Sequence, residues 1–255
     1  GQEDAVSPSV LKQATPVWPS AVWRADQLGS PVARAWPSGF DALDAELPGG
    51  GWPGHGLTEL LGPVGGAFEW RLLGPWLRQP SVAARPVVLV GPPHPPHPPG
   101  LQHAGLAPGR LVWLRADSAA ERLWSAEQLL KGRTGAVLVA WLPQVRPAQL
   151  RRLQVLAAAC EAPAFVCRPE TAAREPSAAP LRLRVGLGPD WALTVDVFKR
   201  KGPPLARPLR LVSVPGGLDA VLPPRLAQPA RVPVPMVEVA DVVVRPVPAA
   251  GHALH

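Results

Sequence analysis

Short apolar runs alternate along the chain with segments whose apolar residues recur every three or four positions. The runs are bounded by glycine, proline and charged residues and are typical of buried strands, whereas the segments between them are typical of helices that pack on a sheet. The predicted strands lie at residues 57–61, 85–90, 109–116, 135–142 and 164–167. This alternation predicts an α/β fold with a mainly parallel central sheet flanked by helices.

Three of the intervening segments carry strong helix signals. The first follows the turn after residues 57–61, and its apolar positions are Phe68, Leu72, Trp76 and Leu77. Ser118 and Glu121 have the spacing of a capping box, and the helix that they begin runs to about Lys131. Its predicted sheet-facing residues are Leu123, Trp124, Gln128 and Leu130. Pro147 suits the first turn of a third helix, whose apolar face carries Leu150, Leu153, Leu156, Ala157 and Cys160.

The period of the apolar pattern changes to two near the C-terminal part of the domain. Residues 181–187 and 193–198 alternate between apolar and polar side chains and flank a turn at 188–190. They are therefore predicted to pair as antiparallel strands, and a closing strand follows at 209–214. The exposed face of the pair is predicted to carry Arg182, Arg184 and Thr194.

The proline and glycine content indicates that only part of the chain is folded. The 255 residues include 36 prolines and 24 glycines, too many for a chain that is folded throughout. We expect a disordered leader at 1–19, one domain at 20–222 that begins with a short helix at 20–28, and a Pro-rich, largely disordered tail at 223–255. The tail contains one valine-rich segment, which either packs on the domain's own sheet or adds as a strand to a partner. Its valines are Val237, Val239, Val242, Val243 and Val244.

Two segments of the domain are predicted to be loops. Residues 91–99 hold His94 and His97 among prolines, which favours a stiff, extended surface loop over a metal site because no third ligand is nearby. Residues 168–180 are rich in alanine, proline and charged residues and are predicted to form a mobile loop.

Charge and cysteine content limit the function classes. The formal net charge is +7, which permits nucleic acid or an acidic protein as a partner without requiring either. Cys160 and Cys167 lack the spacing and the histidine neighbours of a metal site, so we expect reduced core thiols and no metal. No apolar run approaches the roughly 18 residues of a membrane span, and nothing at the start resembles a signal peptide. A cytoplasmic protein with no membrane contact is therefore expected.

The turn after residues 57–61 has the layout of a nucleotide-binding P-loop but not its chemistry. Aligned on Gly62, the pattern GxxxxGK[ST] places Phe68 at its lysine and Glu69 at its serine or threonine. Phe68 cannot neutralise phosphate, the Ser/Thr hydroxyl that ligates Mg²⁺ is absent, and the Glu69 carboxylate adds like-charge repulsion. The degenerate loop comprises Gly62, Pro63, Gly65, Gly66, Ala67, Phe68 and Glu69.

Two further carboxylates of such a site are missing from their expected positions. Ala140 stands where the Mg²⁺-ordering aspartate of a Walker B strand would end, and no glutamate occurs between Val87 and Leu101, where a catalytic glutamate would follow the strand. The sequence therefore predicts a nucleotide-binding scaffold without enzymatic activity and without a cofactor.

Several strings resemble a known family when their order and spacing are taken together. SGFDALD at 38–44 and PGGGWPGHGLTELLGP at 48–63 resemble the stretch that leads into the P-loop of RecA and its relatives. GGGWPGHGLTELL is closer still to the ImuA family, as are PPH at 92–94, LW with AEQ at 123–128, and KRKGPP at 199–204. The resemblance spans about residues 22–222 and implies a RecA-like core.

The ImuA resemblance also implies a function. Members of that family are accessory proteins of translesion DNA synthesis that are induced by DNA damage. The implied partners are ImuB, RecA, an error-prone DNA polymerase and non-specific DNA, and the implied location after damage is the nucleoid.

Basic residues supply candidate contacts to DNA or to a protein partner. They are Arg146, Arg151, Arg152, Arg182, Arg184, Lys199, Arg200 and Lys201. Direct binding to DNA would be non-specific and would weaken steeply with salt through counterion release. For Arg151 and Arg152 a solvated helix face is the commoner explanation of the charge, and for residues 199–201 the alternative is a solvated hairpin end.

Two other functions compete with the adaptor interpretation. One is a cell-division inhibitor of the SulA type, which is also RecA-like and lacks a P-loop, and binding to the tubulin-like division protein would identify it. The other is a RecA-like ATPase with a non-standard site, although the loop offers no replacement lysine.

Overall fold

A computed structural model describes residues 35–65, 68–216, 218 and 220–223. The predicted helix at 20–28, the leader, Gly66 with Ala67, and the valines of the tail lie outside these residues. The strands are β1 Ala35–Trp36, β2 Trp52–Pro53, β3 Leu57–Gly62, β4 Val87–Val90, β5 Leu111–Leu114, β6 Val137–Trp141, β7 Ala164–Pro169, β8 Leu181–Leu187, β9 Ala192–Lys199 and β10 Leu209–Val212. The helices are α1 Asp41–Asp44, α2 Phe68–Leu77, α3 Pro80–Ala83, α4 Pro98–Ala104, α5 Ala119–Gly132 and α6 Pro147–Ala158.

The main sheet has eight strands in the order β10-β9-β8-β3-β7-β6-β4-β5. The strands from β8 to β5 are parallel to one another, whereas β9 and β10 pair in antiparallel fashion. β3 lies between β7 and β8 and is parallel to both. The turn that follows β3 is therefore flanked by the carboxyl ends of two neighbouring strands. The α/β prediction, the mainly parallel sheet and the antiparallel C-terminal strands are confirmed.

Apolar residues cover both faces of this sheet. One core contains the buried face of α2 with Leu72 and Trp76, together with Trp36 and Trp52 from the segment before β3. The other core lies under α5 and α6 and includes Leu150 of α6. Strands buried on two faces need apolar residues at successive positions, which explains why VLVAW in β6 is continuously hydrophobic.

Local helix signals are confirmed. The Ser118 Oγ accepts a hydrogen bond from the backbone N–H of Glu121 at 3.2 Å, and the Glu121 carboxylate accepts one from the backbone N–H of Ser118 at 3.0 Å. Pro147 occupies the first turn of α6. Both features depend on residues close together in sequence, so they can be predicted without knowledge of the fold.

Two predictions about the helices and loops are wrong, and a third is right only in part. Trp124 and Gln128 are exposed, because the buried face of α5 is formed by Leu123, Ala126, Glu127 and Leu130. The extended loop predicted at 91–99 ends at His97, since Pro98 begins α4 at a position where a helix tolerates proline. The segment at 168–180 forms a packed 3₁₀ turn, Glu170–Arg174, with Ala172 and Ala179 buried, rather than a loose loop.

Candidate functional site

The turn after β3 lies at the carboxyl edge of the central parallel strands, where α/β sheets bind their ligands. Gly65 has a φ of +73°, a left-handed conformation that glycine adopts without strain. A Cβ atom added at Gly62 would lie 2.6 Å from the ring of Phe68, and Phe68 is itself only 2% exposed. The aromatic ring therefore occupies the space above the first glycine of the turn.

Glu69 lies one position further along α2 and is also buried, with 4% of its surface exposed. The indole Nε1 of Trp141, at the end of β6, donates a hydrogen bond to the Glu69 Oε1 at 2.9 Å. Burial raises the pKa of Glu69 from 4.5 to about 7, and the hydrogen bond from Trp141 offsets only part of this rise. Near neutral pH the carboxyl therefore exists in both its neutral and its charged form.

Ala140 and Trp141, the last two residues of β6, face opposite sides of the sheet. Successive residues of a strand point to opposite faces of the sheet. Ala140 packs in the core under α5 and α6, whereas Trp141 faces α2 and contacts Glu69. The residue of β6 opposite the start of α2 is therefore Trp141, and an indole and a carboxyl group face each other there. The assignment of Ala140 to a lost Walker B position stays a prediction.

A cavity of about 420 Å³ opens beside this pair. It lies between α2, the segment that runs from β4 into α4, the end of β6 and the segment after β10, all at the carboxyl edge of the sheet. Glu69, Trp70 and Trp141 line it together with apolar residues and prolines, and the exposed His94 and His97 lie among its lining residues. The sequence alone does not reveal this cavity, because its walls come from four separate segments.

The two cysteines are buried thiols. Burial raises the pKa of Cys167 well above 9.0, and the negative charge of Glu69 adds to the rise. Burial also raises the pKa of Cys160. Both are unpaired in the structure. Across the described ranges, no cluster of three histidine, cysteine, aspartate or glutamate residues has the geometry of a metal site.

Arg182 is not on the exposed face predicted for it. Glu59 in β3 is fully buried, and its carboxylate accepts hydrogen bonds from Arg182 in β8 and from Arg168 in β7, the latter at 3.1 Å. Arg182 also donates to the carbonyl oxygen of Ala172 at 2.8 Å and is only 5% exposed. Its guanidinium group is thus held inside the domain and is not available to a phosphate.

Four more of the candidate cations contact groups of their own chain. Arg152 of α6 donates to the buried carboxylate of Glu127 in α5 at 2.6 Å. The Nζ of Lys199 donates to the carbonyl oxygen of Ser177 at 2.7 Å, and Arg200 forms an ion pair with Glu46 at 2.6 Å. Arg184 lies 3.7 Å from Glu170, with both side chains well exposed.

The remaining candidates, Arg146, Arg151 and Lys201, are exposed. Arg146 caps the start of α6 and Arg151 lies on its outer face.

The buried ion pairs of Glu59 with Arg168 and Arg182 were not predicted, although the sequence carries one signal for them. A glutamate in an otherwise apolar buried strand, as in LTELL, requires a buried cation, and Arg168 and Arg182 lie in the two neighbouring strands.

Comparison with known proteins finds no matching family model and no matching curated protein. Among the described helices, none combines the length and the apolar composition that crossing a bilayer requires.

Proposed function

We propose that this chain is an ImuA-type adaptor of translesion DNA synthesis, built on a RecA-like core whose nucleotide site has been replaced by a packed aromatic and acidic cluster. It acts by binding ImuB, RecA and an error-prone DNA polymerase in the cytoplasm, close to the nucleoid after DNA damage. The observation that carries the proposal is the arrangement of Phe68, Glu69 and Trp141 at the turn after β3.

The position of that turn supports a RecA-like core. The turn connects a central parallel strand to a helix that packs on the sheet, which is the strand–loop–helix frame of a P-loop. Antiparallel strands extend the sheet on its C-terminal side, as the resemblance to RecA implies.

Electrostatics argues against nucleotide binding at this turn. A nucleoside triphosphate needs a cation close to its β- and γ-phosphates, and the chain has no Lys or Arg between Gly62 and Trp70. The ring of Phe68 packs over Gly62, and ionised Glu69 would repel phosphate. A scaffold of this kind that neither binds nor hydrolyses nucleotide acts through its surface.

Direct contact with DNA is a further part of the proposal, and burial limits which of the candidate basic residues could make it. Arg146 and Arg151 are exposed on α6, whereas Arg182 is buried and Arg152 is paired. Non-specific contact with phosphates is therefore proposed for Arg146, Arg151 and Lys201. Arg184 stays a further candidate, because its side chain is well exposed beside Glu170.

Capture of purified partners tests the adaptor function. The full-length protein is immobilised and offered ImuB, RecA and the tubulin-like division protein in parallel. A full-length variant with Val242→Asp and Val243→Asp places charge in the apolar segment of the tail, and Val247→Asp outside that segment is the matched control.

We expect capture of ImuB or RecA by the wild-type chain and by the Val247→Asp variant, and loss of capture by the doubly substituted variant. Capture of the division protein alone would mean that the protein is a division inhibitor of the SulA type. Failure to capture ImuB and RecA would contradict the adaptor function.

A further inference from the structure

The cavity beside α2 contains a carboxyl group without a charged partner. Within the described part of the chain, no lysine, arginine or histidine lies within ion-pair distance of Glu69. Its polar partners are the indole N–H of Trp141 and its own backbone N–H, both of them uncharged. A buried carboxylate is normally paired, so a ligand that brings a positive charge to Glu69 would remove much of the cost of ionising it.

The aromatic groups next to this carboxyl favour the same kind of ligand. The rings of Trp70 and Trp141 lie 6.0 Å apart, measured between centroids, and are tilted by 52°. The face of an indole ring attracts a cation placed within about 6 Å of its centre. Leu101 and the prolines at 92–96 add apolar surface, so the cavity can also cover the uncharged part of a small molecule.

We propose that this cavity binds a small aromatic or apolar cation, an amine, amidine or guanidine, whose charged group pairs with Glu69 beside the indole rings of Trp70 and Trp141. A volume of about 420 Å³ falls in the range of small-molecule sites. The prolines between β4 and α4 give one wall a restricted backbone, which limits the entropy lost when a ligand binds.

The other charged and titratable groups around the cavity do not take the place of this ligand. Arg71 lines the cavity, but its guanidinium donates to the carbonyl oxygens of Trp191 at 2.7 Å and of Ser213 at 3.0 Å. Arg78, His94 and His97 lie among the exposed lining residues, and the thiol of Cys167 lies on the sheet side. None of these groups forms an ion pair with Glu69.

Benzamidine is a suitable probe because it is small, flat, aromatic and protonated throughout the range from pH 6 to pH 8. Benzamide, its neutral counterpart, separates attraction to charge from simple filling of the cavity. The experiment is a titration of the full-length protein followed through the indole N–H signal of Trp141 in nuclear magnetic resonance spectra, with calorimetry for the affinity.

We expect saturable binding of benzamidine at pH 8 with a shift of the Trp141 signal. Affinity should be about tenfold weaker at pH 6, since a carboxyl with a pKa near 7 is about nine-tenths ionised at pH 8 and about one-tenth at pH 6. Benzamide should bind at least tenfold more weakly than benzamidine at pH 8.

Two variants complete the test. Glu69→Gln keeps the acceptor for Trp141 but removes the charge, and it should weaken benzamidine binding at pH 8 at least tenfold. Glu161→Gln changes an exposed acid before β7, at the opposite edge of the sheet, and should bind like the wild-type protein.

Equal affinity for benzamidine in the wild-type and Glu69→Gln proteins would overturn the proposal. An unchanged Trp141 signal on addition of benzamidine to the wild-type protein would also overturn it, and this measurement does not depend on the folding of any variant. Neither result bears on the capture of ImuB or RecA, so failure of the ligand site and failure of the adaptor function can be told apart.

Discussion

At the scale of single residues, Glu69 is the group on which the character of the site depends. It stands at the start of α2, where a helix favours negative charge, yet burial among aromatic residues favours the neutral acid. The second effect is larger, because the pKa of Glu69 is raised to about 7. Folding and the ionisation of this carboxyl therefore oppose each other.

Replacing Glu69 with glutamine should change the pH dependence of stability. Below pH 4.5 the carboxyl is protonated in both the folded and the unfolded chain. As pH rises from 4.5 to 7, the unfolded chain ionises first, so the wild-type protein loses up to about 3 kcal/mol of unfolding free energy from this group. Glu69→Gln should lack that loss and gain stability relative to the wild type as pH rises.

Urea unfolding of both proteins at pH 4.5, 6, 7 and 8 measures this difference. Parallel profiles for the wild-type and Glu69→Gln proteins would mean that the carboxyl ionises normally in the folded state. Glu161→Gln, at an exposed position, serves as the control and should follow the wild-type profile.

At the scale of elements, the central strands are joined by buried charge as well as by apolar contact. Glu59 of β3 pairs with Arg168 of β7 and Arg182 of β8, so one carboxylate links three parallel strands. Arg168 also donates to the carbonyl oxygen of Val145 at 3.2 Å and pairs with Glu175 at 2.5 Å. Removing one member leaves charges of the cluster buried without full compensation.

Arg182→Met should therefore be far more destabilising than Arg151→Met, although both remove one positive charge. We expect a loss of about 3 kcal/mol for Arg182→Met, since it breaks a buried pair. Arg151 is exposed on α6, and its replacement should leave stability within experimental error. Urea unfolding measures both, and equal effects would mean that the buried cluster adds nothing to stability.

Prediction from sequence succeeded where the determining residues are close together in the chain. The capping box of Ser118 and Glu121 and the first-turn position of Pro147 are local, and the structure has both. It failed for Trp124 and Arg182, whose burial depends on which neighbours the fold supplies. The apolar character of Trp124 predicted a place in the core, but this residue lies on the exposed face of α5. The alternation of polar and apolar residues predicted that Arg182 is exposed, but its ion pair with Glu59 holds it inside the domain.

At the scale of the whole molecule, the order of the strands brings distant segments to one edge of the sheet. The turn after β3, the end of β6, the segment after β4 and the segment after β10 meet there around one cavity. The loss of P-loop chemistry at Phe68 and Glu69 stays a prediction, and it can be made from the sequence because that motif is local. The pairing of Glu69 with Trp141 could not be predicted, because it joins residues 72 positions apart.

The central claim is that this scaffold no longer binds nucleotide at the turn after β3, and calorimetry with Mg²⁺-ATP tests it most directly. Heats of binding and the melting temperature of the full-length protein are measured with and without Mg²⁺-ATP. Because a ligand that binds only the folded state raises its stability in proportion to RT ln(1 + [L]/Kd), a millimolar excess would reveal even weak binding. We expect no saturable heat and no rise in melting temperature. Saturable binding with a matching rise in melting temperature would contradict the claim and favour an ATPase with a non-standard site.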